Sequence, residues 1–142
     1  MRGDQEIVVV VRREGTFLLL RRAPERLGYW SLVAGGLEPD ESPREAAQRE
    51  LLEETGLREE VRGLPLALSY SLLDDPPAIR ARYAPGVETV TVHPFLVDSP
   101  GDWEPTLDAE HDLHRWCDLD DAVSLMPYET TRRAVRAAAQ VP

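Results

Sequence analysis

The stretch at residues 42–56 constrains this chain more than any other part of it. Ser42 is a favourable N-cap, Pro43 suits the first helical position, Glu45 completes a capping box three residues after Ser42, and Gly56 offers a left-handed C-terminal cap. The spacing predicts a helix that stops at Thr55. Within it Glu50, Glu53 and Glu54 fall at i, i+3 and i+4, so that one face presents all three carboxylates. Like charges at these spacings repel by roughly 0.2–0.5 kcal/mol per pair, a cost that a hard cation reverses. Magnesium favours oxygen ligands and combines a few carboxylates with water and substrate phosphate, which such a face can supply. Arg49 stands four residues before Glu53 and is read as its partner, while Glu41 lies just before the helix, where the dipole favours an anion. Ala46 and Ala47 are small enough to leave room beside the carboxylates, a feature that plain helix packing explains equally well.

The flanking sequence supplies strands. Residues 7–11 form an unbroken aliphatic run and residues 16–20 a second apolar one, separated by Arg12-Arg13-Glu14-Gly15, which predicts a β-hairpin. Ala34-Gly35-Gly36 breaks the pattern ahead of the helix. Residues 64–73 and 87–97 read as further strands, with Pro76-Pro77 placing a long surface connection over residues 74–86. Trp116 lies near another short extended segment, and the alanine- and arginine-rich residues 129–140 read as a last helix. The order β-β-α-β-β-α, without repeat or linker, predicts one domain over residues 1–142 of the α/β class: an α/β/α sandwich with a mixed β-sheet.

Composition narrows the partners. With 142 residues and 42% apolar content the chain can bury a core without staples, and its lone Cys117, read as a small buried hydrophobe, cannot form an internal disulfide. No apolar stretch approaches the roughly 20 residues that span a bilayer, and residues 1–6 are too polar for a signal peptide, so a cytoplasmic protein is expected. The net charge of -10 argues against a nucleic acid polymer or an anionic membrane as partner, since both need a basic surface. A small phosphorylated substrate remains compatible, provided that divalent cations and a few arginines neutralise it.

Gly35, Glu41, Arg49, Glu50, Leu51, Glu53, Glu54, Gly56 and Leu57 fill every fixed position of the pattern G-x5-E-x7-R-E-U-x-E-E-x-G-U, where U is aliphatic. In this the segment resembles the Nudix box, whose loop and helix hold catalytic metals within a sandwich fold. The resemblance implies a Mg2+-dependent hydrolase, with Mn2+ as a possible substitute, that uses metal-activated water to cleave a diphosphate linkage without a covalent intermediate. It implies Glu50 and Glu54 as direct metal ligands. Glu53, held by Arg49, is expected to bind metal through water or to help proton transfer. Glu110-His111 followed by Trp116 resembles a later Glu-His-x-x-x-x-Trp element of several Nudix subgroups, which makes Glu110 a fourth ligand or general base. Glu38 either joins the metal shell or is merely solvated.

Residues 82–87, Arg-Tyr-Ala-Pro-Gly-Val, resemble a stretch of the bacterial dihydroneopterin triphosphate pyrophosphatases. By that resemblance Arg21, at the end of the second strand, Arg82 and Tyr83 are substrate-side candidates, with solvation for Arg21 and loop packing for Arg82 and Tyr83 as the alternatives, and Gly35 of the box is a further substrate-side candidate. Trp30, beside Tyr29, either stacks on a planar base or packs in the core. Ala34 departs from the hydroxyl residue usual in that subgroup, and Gln5 or Glu6 stands near a position that is basic there. (d)NTP, ADP-ribose and nucleotide sugars therefore stay open as substrates, as does a non-catalytic nucleotide-sensing domain. A monomer or homodimer is expected.

Overall fold

The computed structural model describes residues 2–142. Strands β1 (Gln5–Arg13) and β2 (Thr16–Arg22) form the expected hairpin around Glu14-Gly15, with Glu14 at φ 56°. The two arginines assigned to the turn belong to β1 instead. Arg12 pairs with Asp98 of β7 (Thr89–Asp98), its Nε donating to Oδ1 at 2.7 Å. Strand β7 runs parallel to β1 in register from Gln5↔Thr91 to Arg12↔Asp98. Both strands are central and covered on both faces, which is why they read as nearly continuous aliphatic runs.

The sheet forks beside β1. Strand β2 pairs with β1 only next to the turn, and the edge it vacates is taken by β4 (Val33–Gly36), antiparallel from Val9↔Val33 to Glu6↔Gly36. The sequence places a break at Ala34-Gly35-Gly36, whereas the strand continues through both glycines. The missing side chain of Gly35 serves close packing rather than a turn, as the site shows below. Strand β2 turns away to pair with β3 (Trp30–Ser31) and β8 (His111–Cys117). On the far edge of β7 stand β5 (Arg62–Gly63) and β6 (Leu68–Ser71), so the strand read over residues 64–73 is shorter than expected.

Side chains alternate across β1 and so define two cores. Ile7, Val9 and Val11, with Leu18, Leu20 and Val33, face Ala46, Ala47 and Leu51 of α1 (Pro43–Thr55). Val8 and Val10, with Phe17 and Leu19, face Ala122 of α3 (Leu119–Leu125) and Ala134, Val135 and Ala138 of α4 (Glu129–Gln140). The result is the α/β/α sandwich with a mixed sheet. The short α2 (Pro77–Arg80) interrupts the connection over residues 74–86, and α3 is an addition to the sequence reading. Cys117 is buried in the second core. Among the described residues no helix is long and apolar enough to cross a membrane.

Helix α1 is bounded as the sequence dictates. Ser42 Oγ accepts from Glu45 N at 3.1 Å, Glu45 Oε1 accepts from Ser42 N at 2.9 Å, and Gly56 closes the helix at φ 80°. Its alanine-lined face lets it lie close to β4, and that contact builds the site.

Candidate active site

Arg49 gathers the loop and the helix around one guanidinium. Its Nε and Nη2 donate to both carboxylate oxygens of Glu41 at 2.8 and 2.9 Å, Nη2 also reaches the Gly36 carbonyl at 3.0 Å, and Nη1 donates to Glu50 at 2.8 Å. Glu53, its expected partner, is the more distant one at 3.4 Å and is half exposed. The expected pair with Glu53 is thus present, and the shorter bonds to Glu41 have a geometric reason. A planar guanidinium matches a carboxylate that it can face with two parallel N–H groups, and Glu41 on the preceding loop offers that geometry whereas Glu53, on the same helix, does not. The paired hydrogen bonds hold the Glu41 carboxyl below the usual carboxylate range. Glu38 is exposed and 3.7 Å from Arg49.

Glu50 and Glu54 lie toward β4. A Cβ on Gly35 would stand 2.3 Å from Glu50 Oε1, so this position must be glycine for the carboxylate to rest against the strand. Glu54 is buried, its side chain 3% exposed. Its Oε1 accepts a long hydrogen bond from Ala34 N at 3.4 Å, and its Oε2 has no hydrogen-bond partner among the described residues. Burial pushes the Glu54 carboxyl well above its ordinary range, and the adjacent Glu50 adds to the effect.

The start of β8 approaches Glu54 through His111 rather than Glu110. His111 Nε2 stands 3.7 Å from Glu54 Oε1, and its Nδ1 is 2.8 Å from Asp108 Oδ1. The β2–β8 register shifts between Arg21 and Arg22, where Arg22 comes to face His111. Such an irregularity re-aims side chains next to a site. Glu110 instead pairs with Arg26 at 3.3 Å. Asp108 was absent from the sequence reading, although its i, i+3 spacing to His111 is visible there.

The substrate-side candidates are spread out. Arg21 is engaged bidentately by Asp112, at 3.0 and 2.8 Å. Arg82 is exposed. Tyr83 is buried, its hydroxyl 2.7 Å from that of Tyr70 and donating to Glu6 at 3.2 Å, while Arg2 closes the group with a 2.9 Å ion pair to Glu6. Trp30 packs against the core on the α4 side, and Tyr29 meets Tyr128 edge to face with ring centres 5.2 Å apart.

An all-oxygen pair of carboxylates, one of them buried with an unpartnered oxygen, fits a hard divalent cation. Among the described residues no three His, Cys, Asp or Glu side chains converge as a ready-made cage. The donor set therefore suits an ion that draws part of its shell from water or phosphate.

The NUDIX domain family model matches residues 2–138. The Myxococcus xanthus protein named octanoyltransferase is 38% identical over 125 residues, covering 88% of this chain and 32% of that protein. The Haemophilus influenzae dihydroneopterin triphosphate diphosphatase is 27% identical over 95% of this chain and 87% of its own length. This chain thus spans about a third of the first relative and most of the second. The structure of the E. coli dihydroneopterin triphosphate pyrophosphohydrolase superposes with a TM-score of 0.81 at 25% identity, covering 94% of this chain and 92% of the other.

Proposed function

Because this chain belongs to the NUDIX domain family, we propose that it is a Mg2+-dependent pyrophosphohydrolase acting on a small phosphorylated substrate, with dihydroneopterin triphosphate as the preferred candidate. The observation that carries the reading is Glu54: a buried carboxylate with an unpartnered oxygen, beside Glu50 and behind Gly35. A buried carboxylate left without a partner is costly, and a divalent cation compensates it.

Glu50 and Glu54 would hold the ion. When bound, it supplies charge neutralisation on phosphate oxygens and lowers the pKa of water. Arg49 acts as a positioning residue, because it ties the Glu41 loop and the Gly36 carbonyl to the helix that carries both ligands. Glu53 is exposed on the same face and is the proposed proton-handling group. Glu110 is the second candidate for that role and must leave Arg26 to take it. Arg21 and Arg82 are proposed phosphate partners, Arg21 by exchanging Asp112 for a phosphate in the same bidentate geometry. Tyr83, held by Glu6 and Tyr70, supports the segment that presents Arg82. A cytoplasmic monomer or homodimer completes the proposal.

The pterin substrate is supported by relatives that carry that activity in their names and align over nearly the whole chain. The test is kcat/KM with Mg2+ for dihydroneopterin triphosphate, canonical and oxidised nucleotides, ADP-ribose and nucleotide sugars. Preference for the pterin supports the full proposal, preference for another member retains the hydrolase with a different substrate, and no turnover of any member contradicts it.

A further inference from the structure

We infer that His111 Nε2 is a metal donor in this site, acting together with Glu54, so that the site accommodates a first-row transition ion such as Mn2+ or Co2+ through a mixed nitrogen and oxygen set. The inference rests on the metal-dependent reading above and concerns a group outside the helix that carries the glutamates.

Two observations carry it. Asp108 Oδ1 lies 2.8 Å from His111 Nδ1, and a carboxylate accepts, so Nδ1 carries a proton and, in the neutral imidazole that binds metals, Nε2 is the nitrogen that offers a lone pair. A carboxylate behind the ring nitrogen that does not bind metal is the arrangement that orients histidine ligands and raises their basicity. Nε2 then faces Glu54 Oε1 at 3.7 Å, too far for a hydrogen bond. Two donors roughly 2.0–2.2 Å from a shared cation, and about 90–120° apart around it, stand some 2.8–3.8 Å from one another, which includes this separation.

The surroundings favour the same role. The side chains of His111 and Glu54 are 1% and 3% exposed, so neither is solvated where they face each other, and the other oxygen of Glu54 is unpartnered. The shift in register between β2 and β8 falls where His111 is set across from Arg22, which aims the ring inward. Imidazole suits borderline ions better than magnesium, whereas Glu50 and Glu54 suit both. Magnesium would thus rely on the carboxylates, and a transition ion would use the histidine together with Glu54.

The experiment uses Mn2+ and the full chain. Electron paramagnetic resonance first counts bound Mn2+, and electron spin echo modulation then reads directly coordinated nitrogen in protein with natural-abundance or 15N-labelled histidine. The expected result is bound Mn2+ with a 14N modulation that changes on histidine labelling and is lost in His111→Gln. His111→Gln and Asp108→Asn should each weaken Mn2+ binding by about tenfold or more, while affecting Mg2+ binding less. Bound Mn2+ without nitrogen coupling, or coupling that persists in folded His111→Gln, overturns the inference and leaves the hydrolase proposal standing. Failure to bind Mn2+ at all overturns the metal reading together with it. Should His111→Gln fail to fold, the labelled wild-type protein still decides, because His93 is bonded to Gln5 and His114 to Glu104, away from Glu54.

Discussion

Arg49 binds Glu41 through two charge-assisted hydrogen bonds of 2.8 and 2.9 Å, and this pair joins the loop between β4 and α1 to the helix that bears Glu50 and Glu54, the proposed metal ligands. Helix and loop would otherwise be linked chiefly by the Ser42 cap and by packing against β4. Arg49→Lys keeps the charge but loses the fork that faces Glu41 and Gly36. We expect a stability loss of roughly 1–3 kcal/mol and at least about a tenfold fall in kcat/KM. Thermal melts and steady-state kinetics check both. If Arg49→Lys melts and turns over like wild type, the clasp has no role.

Glu54→Gln separates function from stability. A carboxyl whose folded pKa is raised above its unfolded value favours folding most when protonated. Its stabilising contribution is complete below the ordinary value of 4.5 and is lost as pH rises through the folded value. Metal-free wild-type protein should therefore lose stability between acidic pH and pH 8 in a way that the Gln variant does not. The variant should melt higher than wild type at pH 8 in chelator, yet show almost no Mg2+-dependent turnover. Parallel melting curves of the two proteins across pH would remove the strain assigned to Glu54.

Gly35→Ala tests the packing of Glu50. The added methyl would need the space of Glu50 Oε1, 2.3 Å away, so the carboxylate must swing off the strand. We expect kcat to fall by more than about tenfold with only a modest change in melting temperature, since the displaced group is a partly exposed side chain rather than core. Unchanged kcat would show that the position of Glu50 against β4 is irrelevant to turnover.

Tyr83→Phe addresses a residue that the sequence reading put on the substrate side. Its hydroxyl serves Glu6 and Tyr70 in a buried group, so its loss should cost roughly 1–3 kcal/mol of stability and leave KM within about twofold. Arg82→Ala should do the reverse, raising KM with little effect on melting. A large KM change in Tyr83→Phe, with an unaltered melting temperature, would return the tyrosine to the binding surface.

Local signals made much of this readable in advance. The bounds of α1 follow from Ser42, Glu45 and Gly56, and those of α4 agree with the sequence reading, because caps and helix formers act within a few residues. Strands β1 and β7 were legible because burial on both faces demands continuous aliphatic sequence. What depended on distant contacts was not. Gly35 of β4 looks like part of a break until Glu50 is seen to fill its space, and Arg49, which does pair with Glu53, gives no local sign that the loop also folds Glu41 over it. The Asp118 cap of α3, which accepts from Asp121 N at 2.8 Å, was available to the reading but marks a helix of only seven residues. The approach of His111 to Glu54 arises from the meeting of β8 with the forked sheet, and no local pattern encodes it.

The most direct test of the account is the release of diphosphate from dihydroneopterin triphosphate by the purified chain, followed with Mg2+, with chelator, and in the Glu54→Gln variant. The account predicts Mg2+-dependent release by the wild-type protein that chelator abolishes and Glu54→Gln reduces by about a hundredfold or more. Release that survives chelation, or that Glu54→Gln sustains at the wild-type rate, would contradict it.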